Sequence, residues 1–245
     1  MNQPIPLFDQ GTIENLVLQN RENLSNDVWS SSRWVKRQQE FLTESLEGTT
    51  PRPHSFRELL EFIAEPLNIV DFGGGSGWLF HTLLFSGINV QSYVNVESIN
   101  LHDTCNQRHS NYFYLTPEEL ETHCWNSDNY VLYFNSVIQY FESDNSLFEI
   151  LKKISPKTVL IDDLTPSASN QFFAYQKYYE TRIPYRFIDQ NALIKGMTER
   201  GYNLRGRPAF SRVISPAFSY AFEKADDRFS IGETNSLIFE RTKDL

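Results

Sequence analysis

A cluster of glycines between two apolar segments constrains the fold of this chain more than any other feature. Four of the five residues at 73–77 are glycine, and they lie between the apolar segments 67–72 and 78–85. The first segment has the length of a buried strand and the second that of a helix, so the cluster is a strand-to-helix turn. Glycine there permits positive φ angles and close approach of a ligand, and the helix start offers free N–H groups. We therefore interpret the turn as a ligand-binding loop.

Beyond this turn, strand-like and helix-like segments alternate to the end of the chain. Besides 67–72, strands are predicted at 92–97, 111–115, 129–135, 157–164, 202–207 and 236–241. Helices are predicted at 78–85, at 143–154, at 189–200 and from 116–119 onward, where Pro117 stands at the first helical position. This alternation predicts an α/β fold with a doubly wound, seven-stranded and mostly parallel sheet.

The N-terminal quarter of the chain has a different pattern, with helix signals and no strand signal. Apolar side chains recur at helical spacing within 34–46, and a capping-box pattern begins at Ser55, with Glu58 three residues later. We predict a helical N-terminal extension, 1–65, that either covers a sheet edge or forms a lid over the substrate. The rest of the chain is predicted to be one ligand-binding domain, 66–245, with insertions near 165–188 and 208–233.

The composition disfavours several classes of protein. Asp and Glu number 31 against 22 Lys and Arg, and the formal charge of −9 disfavours a nucleic acid partner because phosphates need clustered cations. No apolar run has the length of a membrane span, the polar start does not resemble a signal peptide, and the two cysteines lack metal-ligand spacing. We expect a cytoplasmic protein that acts on a small molecule without nucleic acid, membrane or metal. Formation of a homodimer stays open.

The spacing of the glycines distinguishes among nucleotide-binding loops. Positions 73, 75 and 77 form G-x-G-x-G, whereas a dinucleotide fingerprint needs G-x-G-x-x-G and a P-loop needs a Lys followed by Ser or Thr. The stretch 71–77 resembles the first motif of class I methyltransferases, which implies that the loop passes beside the amino acid part of S-adenosylmethionine (SAM). The product form of this cofactor is S-adenosylhomocysteine (SAH). The cofactor-binding residues expected here are Asp71, Phe72, Gly73, Gly74, Gly75, Gly77 and Trp78.

A carboxylate at the end of the second predicted strand supports this interpretation. Glu97 lies 24 residues after Gly73, where an acidic side chain can accept hydrogen bonds from both ribose hydroxyls. We assign Glu97 and the adjacent Ser98 to the cofactor site. Because NAD enzymes use a carboxylate at the same place, Glu97 does not by itself distinguish the two cofactors.

The stretch after the fourth predicted strand carries polar groups at the edge of the sheet where α/β proteins bind ligands. It is similar to a Ser-Val-Leu-x-Tyr/His stretch of many small-molecule methyltransferases, which implies that it lies between cofactor and acceptor. We assign Asn135 and Ser136 to the cofactor, Gln139 to catalysis and Tyr140 to the substrate. The alternative is a turn whose polar groups satisfy its own backbone.

A pair of carboxylates ends the fifth predicted strand on the same edge. Together with the preceding turn, the stretch 161–166 resembles a methyltransferase family associated with polysaccharide and secondary-metabolite biosynthesis. The resemblance covers 67–204, but this chain has Asp162-Asp163 where that family often has Asp-Arg, so an anionic substrate does not follow. If the reaction needs a general base, Asp163 is the first candidate and Asp162 the second.

The insertion near 165–188 is rich in aromatic residues. Phe172, Tyr175 and Tyr179 recur at helical spacing and would share one face of a helix. They either pack in the core or form a wall of the substrate site.

These observations favour one function over two others. We expect a SAM-dependent methyltransferase acting on a small organic acceptor, with O-methylation of a sugar or natural-product intermediate as the specific hypothesis. The alternatives are an NAD(P)-linked oxidoreductase and a non-catalytic nucleoside-binding module of the same fold.

Overall fold

A computed structural model describes most of the chain. The described residues are 28–29, 31–48, 55–63, 65–105, 109–125, 129–168, 170–178, 181–208 and 232–242. Their helices are α1 (Ser32–Leu46), α2 (Ser55–Phe62), α3 (Trp78–Phe85), α4 (Ile99–Cys105), α5 (Asp144–Ile154) and α6 (Gln190–Thr198). The strands are β1 (Leu67–Phe72), β2 (Val90–Val96), β3 (Tyr112–Leu115), β4 (Tyr130–Asn135), β5 (Thr158–Leu164), β6 (Pro166–Ser167), β7 (Phe172–Tyr178), β8 (Thr181–Asp189), β9 (Tyr202–Gly206) and β10 (Asn235–Arg241).

The main sheet has seven strands in the order β3-β2-β1-β4-β5-β10-β9. Strands β1 to β5 pair in parallel, whereas β10 is antiparallel to both β5 and β9. The predicted α/β fold, with a seven-stranded and mostly parallel sheet, is therefore confirmed. The order reverses at β1 and β4, and the carboxyl ends of these strands form the crevice where open α/β sheets bind ligands.

Both faces of the sheet are covered, which explains why its central strands are almost wholly apolar. On β4, Val131 and Tyr133 join the core under α2 and α3, and Leu132 and Phe134 join the core under α5 and α6. Side chains alternate between the two faces along a strand. The carboxyl edge is thus attached to a rigid, close-packed sheet.

The N-terminal extension contains the two predicted helices. The Ser31 hydroxyl caps α1 by accepting from Trp34 N–H at 3.2 Å, and α1 packs against α3 and α4. The capping-box prediction at Ser55 is wrong in its detail, because α2 begins at Ser55 itself. Its hydroxyl instead donates to the buried carboxylate of Asp162, and a buried carboxylate requires such donors.

The helix predicted from 116–119 onward forms only a single helical turn. Thr116 and Glu119 do form the reciprocal capping bonds, at 2.8 and 3.3 Å, but the helix that follows is a 3-10 turn at Glu119–Glu121. Leu120 is the one fully buried apolar side chain of 116–125. Without an apolar face to bury, a capped helix start does not continue.

The aromatic insertion is a β-hairpin, so the helical face predicted for Phe172, Tyr175 and Tyr179 is wrong. Strands β7 and β8 pair antiparallel, with Phe172 opposite Phe187, and β6 adds a third strand. Aromatic and β-branched residues favour strands, and here that preference prevails over the helical spacing. Phe172 and Tyr175 lie in β7, and Tyr179 falls outside the described residues, as does most of the predicted insertion near 208–233.

No helix in the described ranges is long and apolar enough to cross a membrane.

Candidate cofactor and acceptor site

The glycine turn connects β1 to α3 as predicted. Its backbone is held by hydrogen bonds from Gly73 N–H to the Val96 carbonyl at 2.8 Å and from Gly77 N–H to the Gly74 carbonyl at 2.9 Å. Gly73, Gly75 and Gly77 have φ angles of 73°, 55° and 71°. Such angles strain any residue with a Cβ, so the turn requires glycine at these positions.

Neighbouring side chains of the protein also leave no room for a Cβ at two of these positions. A Cβ on Gly75 would overlap the amide of Gln38 on α1, and a Cβ on Gly73 would overlap Val137 after β4. Substituting Gly75 would therefore disturb the N-terminal helix as well as any bound cofactor. The turn is the point where three segments of the chain meet.

Glu97 lies directly beside the glycine turn. One of its carboxylate oxygens accepts from Gly75 N–H at 3.0 Å, and the other accepts from Ser98 N–H at 2.7 Å. Burial raises the pKa of Glu97, and the two backbone donors oppose that rise. Each carboxylate oxygen has a second lone pair, so Glu97 can accept two further hydrogen bonds while it supports the turn.

Asp71, the buried residue two positions before the turn, stabilises the turn from the core side. Its carboxylate is 2% exposed, accepts from the Tyr93 hydroxyl and lies against Gly74, where a Cβ would overlap it. Burial raises the pKa of Asp71 to about 7; the bond from Tyr93 opposes this rise, and the nearby charge of Glu97 adds to it. Asn95 also stabilises the turn, because its side-chain amide donates to the Gly75 carbonyl at 3.0 Å.

Two other predicted cofactor residues pack their side chains into the core. Phe72 contacts Phe134 and Phe141, with ring centroids 5.6 and 5.9 Å apart. Trp78 begins α3 and packs against the core on the opposite face of the sheet. Phe72 and Trp78 therefore face the turn with their backbone groups and not with their rings.

Ser136 and Asp163 meet where β4 and β5 end. The Ser136 hydroxyl donates to the Asp163 carboxylate, and Ser136 N–H donates to the Asp162 carbonyl at 3.1 Å. Asn135, the last residue of β4, pairs with Asp162 of β5. The structure thus brings together the two stretches that the sequence singled out.

The two neighbouring carboxylates have different environments. Asp162 is 1% exposed and accepts from Ser55 and from the Tyr133 hydroxyl, the latter at 2.9 Å. Burial raises its pKa, while the hydroxyls of Ser236, Ser55 and Tyr133 lower it. Asp162 therefore connects α2 to the sheet, whereas Asp163 faces the turn after β4.

Gln139 is a buried polar side chain whose amide oxygen accepts no hydrogen bond from the described residues. It lies in a 3-10 turn, Ile138–Tyr140, and is 3% exposed. Its Oε1 atom has no hydrogen-bond partner among the described residues. Leaving a buried amide oxygen unpaired is costly, so this atom is a candidate for binding a ligand group.

A buried arginine that sequence reasoning missed holds this turn. Arg186 of β8 is 1% exposed, donates to the Ile138 carbonyl at 3.2 Å and pairs with Asp144 at 2.8 Å. Burial lowers its pKa, and Asp144 opposes that shift. The signal in the sequence was a single cation inside the otherwise apolar and aromatic stretch 183–188.

Aromatic rings join the N-terminal extension to the same turn. Tyr140 makes edge-to-face contacts with Trp29, 5.1 Å away, and with Tyr185 of β8, 5.7 Å away. Phe172 stacks on Phe187 at 4.6 Å, and Phe187 contacts Tyr185. One continuous cluster of aromatic rings thus joins the extension, the turn after β4 and the hairpin, with Trp29 and Tyr140 partly exposed and the hairpin rings buried. Trp29 carried no signal in the sequence.

In the parts of the chain that the structure describes, no cluster of three or more His, Cys, Asp or Glu residues could hold a metal ion.

Comparison with known proteins identifies the fold. A methyltransferase in complex with the Haloferax volcanii Trm112 methyltransferase activator superimposes with a TM-score of 0.56 and 11% identity, over 87% of this chain and 96% of that one. The chain has the fold of class I methyltransferases. The glycopeptide N-methyltransferase MtfA complexed with SAH gives a TM-score of 0.52 and 8% identity, over 79% of this chain and 91% of MtfA.

A third structure agrees with this class I methyltransferase fold. A SAM-dependent methyltransferase from Listeria monocytogenes has a TM-score of 0.50 and 10% identity, over 78% of this chain and 99% of that one. No family model and no curated protein matches the sequence. The class I methyltransferase fold therefore rests on tertiary structure, in agreement with the glycine motif.

Proposed function

We propose that this protein is a SAM-dependent methyltransferase that acts on a small organic acceptor. The observation that carries the proposal is the position of Glu97, which directly follows β2 and whose carboxylate accepts a hydrogen bond from the amide of Gly75 in the glycine turn. A class I methyltransferase fold, a G-x-G-x-G turn and an acid at this strand end together match the needs of a nucleoside cofactor. MtfA, which has the same fold, is described in complex with SAH.

The residues of the turn fit this cofactor. Glu97 retains lone pairs for two ribose hydroxyls, and the hydroxyl of Ser76, which is fully buried, has no partner among the described residues. We assign contacts with the cofactor to the backbone of 71–77, to Trp78, and to Glu97, Ser98, Asn135 and Ser136. Asp71 supports the turn and need not touch the ligand.

SAM supplies a methyl group bound to a sulfonium sulfur. The chain must hold the acceptor in line with that methyl and exclude water. We assign the first task to Gln139, whose unpaired oxygen can accept a hydrogen bond from an acceptor O–H or N–H group. When the acceptor forms its bond to carbon, the carbon–sulfur bond breaks and its electron pair remains on sulfur.

The acceptor proton then needs a base if the nucleophile is a hydroxyl or a protonated amine. We assign this role to Asp163, which lies near the carboxyl end of β5, on the same edge of the sheet as Gln139. Asp162 is the weaker candidate, because its carboxylate is engaged by Ser55 and Tyr133. O-methylation of a sugar or natural-product intermediate remains our specific hypothesis for the reaction.

Trp29 and Tyr140, the partly exposed rings of the aromatic cluster, indicate where the acceptor lies. Tyr140 touches both Trp29 of the extension and Tyr185 of the hairpin, so the extension can close over an acceptor placed against this turn. We propose that the part of the extension that carries Trp29 acts as this lid, whereas α2 is fixed in the core. Phe172 and Tyr175 of β7 are assigned to the acceptor wall, and Tyr179, outside the described residues, keeps the same assignment from the sequence.

Calorimetry with SAH, NAD and NADP tests the cofactor. We expect SAH to bind and the two dinucleotides not to bind, and binding of NAD alone would refute the proposal. Glu97→Gln should weaken SAH at least tenfold, because the amide group points a donor at a backbone N–H. Glu118→Gln, on the exposed surface, is the matched control and should bind as the wild type does.

Transfer is tested with SAM carrying a labelled methyl group and small-molecule fractions of cell extract. The wild type should label an acceptor, and Asp163→Asn should reduce labelling at least tenfold while SAH binding is kept. Binding of SAH without labelling of any fraction would favour a non-catalytic module.

A further inference from the structure

Gln38 brings the N-terminal helix α1 into direct contact with the glycine turn. Its Oε1 atom accepts from Ser76 N–H at 2.9 Å, and the side chain is 4% exposed. The same amide occupies the space that a Cβ on Gly75 would need. A residue 38 positions before Ser76 is therefore packed into the turn.

The turn cannot supply this hydrogen bond from its own residues. Gly77, the N-cap of α3, has no side chain to offer, and the Ser76 hydroxyl has no partner among the described residues. Ser76 is fully buried, so its N–H needs an acceptor from elsewhere in the chain. Glu97 holds Gly75 N–H and Gln38 holds the next one, so two distant side chains fix consecutive amides.

An uncharged side chain such as Gln38 suits the environment of the glycine turn. Asp71 and Glu97 are already two carboxylates beside the turn, and burial raises the pKa of both. A third carboxylate would add to that cost, whereas an amide oxygen accepts the same hydrogen bond without charge. Gln38 thus satisfies the buried amide at a lower electrostatic cost than an acid would.

We propose that Gln38 is a positioning residue for the cofactor turn, and that α1 is an integral part of the cofactor site. This inference rests on the proposed function. Gln38 sets the backbone conformation of Gly75 and Ser76 in which Glu97 and the turn receive the cofactor. Occlusion, in which Gln38 blocks the site until the cofactor displaces it, predicts the opposite effect on affinity.

The test uses the full chain and two neighbouring glutamines of α1. Gln38→Met keeps the length of the side chain and removes the acceptor, whereas Gln39→Met makes the same change at an exposed position. In calorimetry with SAH, Gln38→Met should raise Kd about tenfold or more, as expected for a lost buried hydrogen bond. Gln39→Met should bind as the wild type does.

Amide hydrogen exchange separates positioning from general loosening of α1. In Gln38→Met the Ser76 amide should exchange faster, while the amides of α1 keep their protection. Equal or tighter SAH binding by Gln38→Met, or unchanged exchange at Ser76, would overturn the role of Gln38. Slow exchange at Ser76 in the wild type is required in any case, and fast exchange there would refute the contact even if the variant failed to fold. Failure of the wild type to bind SAH would instead overturn the proposed function.

Discussion

The hydroxyl of Ser136 donates a hydrogen bond to the carboxylate of Asp163, and both residues have a left-handed backbone, with φ angles of 56° and 55°. Two non-glycine residues in this conformation, at the carboxyl ends of neighbouring strands and bonded to each other, constitute a local strain that the packed sheet must support. Strain of this kind concentrates at functional sites, and these two residues border the turn that carries Gln139. Their bond fixes how β4 and β5 end at the crevice.

The coupling between these residues is measurable. Ser136→Ala and Asp163→Ala should each destabilise the protein, and the double variant should lose less than the sum, with a coupling energy of about 1–2 kcal/mol. Urea unfolding of the four proteins of the cycle gives this value. Additive losses would mean that the hydrogen bond contributes nothing to stability.

Asp71 should make stability depend on pH. Its pKa is about 7 in the folded protein against an ordinary value of 3.8, so folding favours the protonated acid. The stabilisation is complete below pH 3.8 and is lost as pH rises to about 7, at a total cost of about 4 kcal/mol. Asp71→Asn cannot ionise but still accepts from Tyr93. Unfolding at pH 5 and pH 8 should show that the variant gains on the wild type at the higher pH, and a constant difference would contradict the assignment.

Gln139 should trade stability for function. Gln139→Met removes an unpaired buried amide and keeps the side-chain volume, so the protein should become about 1–2 kcal/mol more stable. The same variant should lose labelling of the acceptor while it binds SAH normally. Destabilisation by Gln139→Met would mean that the amide is satisfied within the fold, and would remove the basis for its role in acceptor binding.

The Arg186–Asp144 pair should be sensitive to the loss of one partner. Asp144→Asn leaves a buried guanidinium without its carboxylate and should cost about 3 kcal/mol. Removing both charges, in Arg186→Met with Asp144→Asn, should recover part of that loss. Thermal unfolding compares the variants, with Glu149→Gln on the exposed face of α5 as a control. If the double variant is less stable than Asp144→Asn, the hydrogen bond from the guanidinium to the Ile138 carbonyl contributes more to stability than the ion pair does.

Local sequence predicts the elements well where one physical preference dominates. The observed strand β1 and helix α3 have the predicted bounds, because an apolar strand, a glycine turn and an apolar helix follow one another without competing signals. Prediction was wrong where two preferences conflict. In β7 the aromatic residues recur at helical spacing, yet pairing with β8 decides the conformation, and that pairing is not visible in a single segment.

The same distinction holds for the candidate site. The glycine turn, Glu97 and the stretches after β4 and β5 were visible in the sequence, because turn chemistry and strand ends are local properties of the chain. The contacts of Gln38 with Ser76, of Trp29 with Tyr140 and of Arg186 with Ile138 were not, since each joins segments that are far apart along the chain. Backbone preference and apolar patterning act between near neighbours and determine which elements form. Burial, which requires every enclosed polar group to find a partner, acts only once those elements pack, and it decided which distant side chains complete the turn.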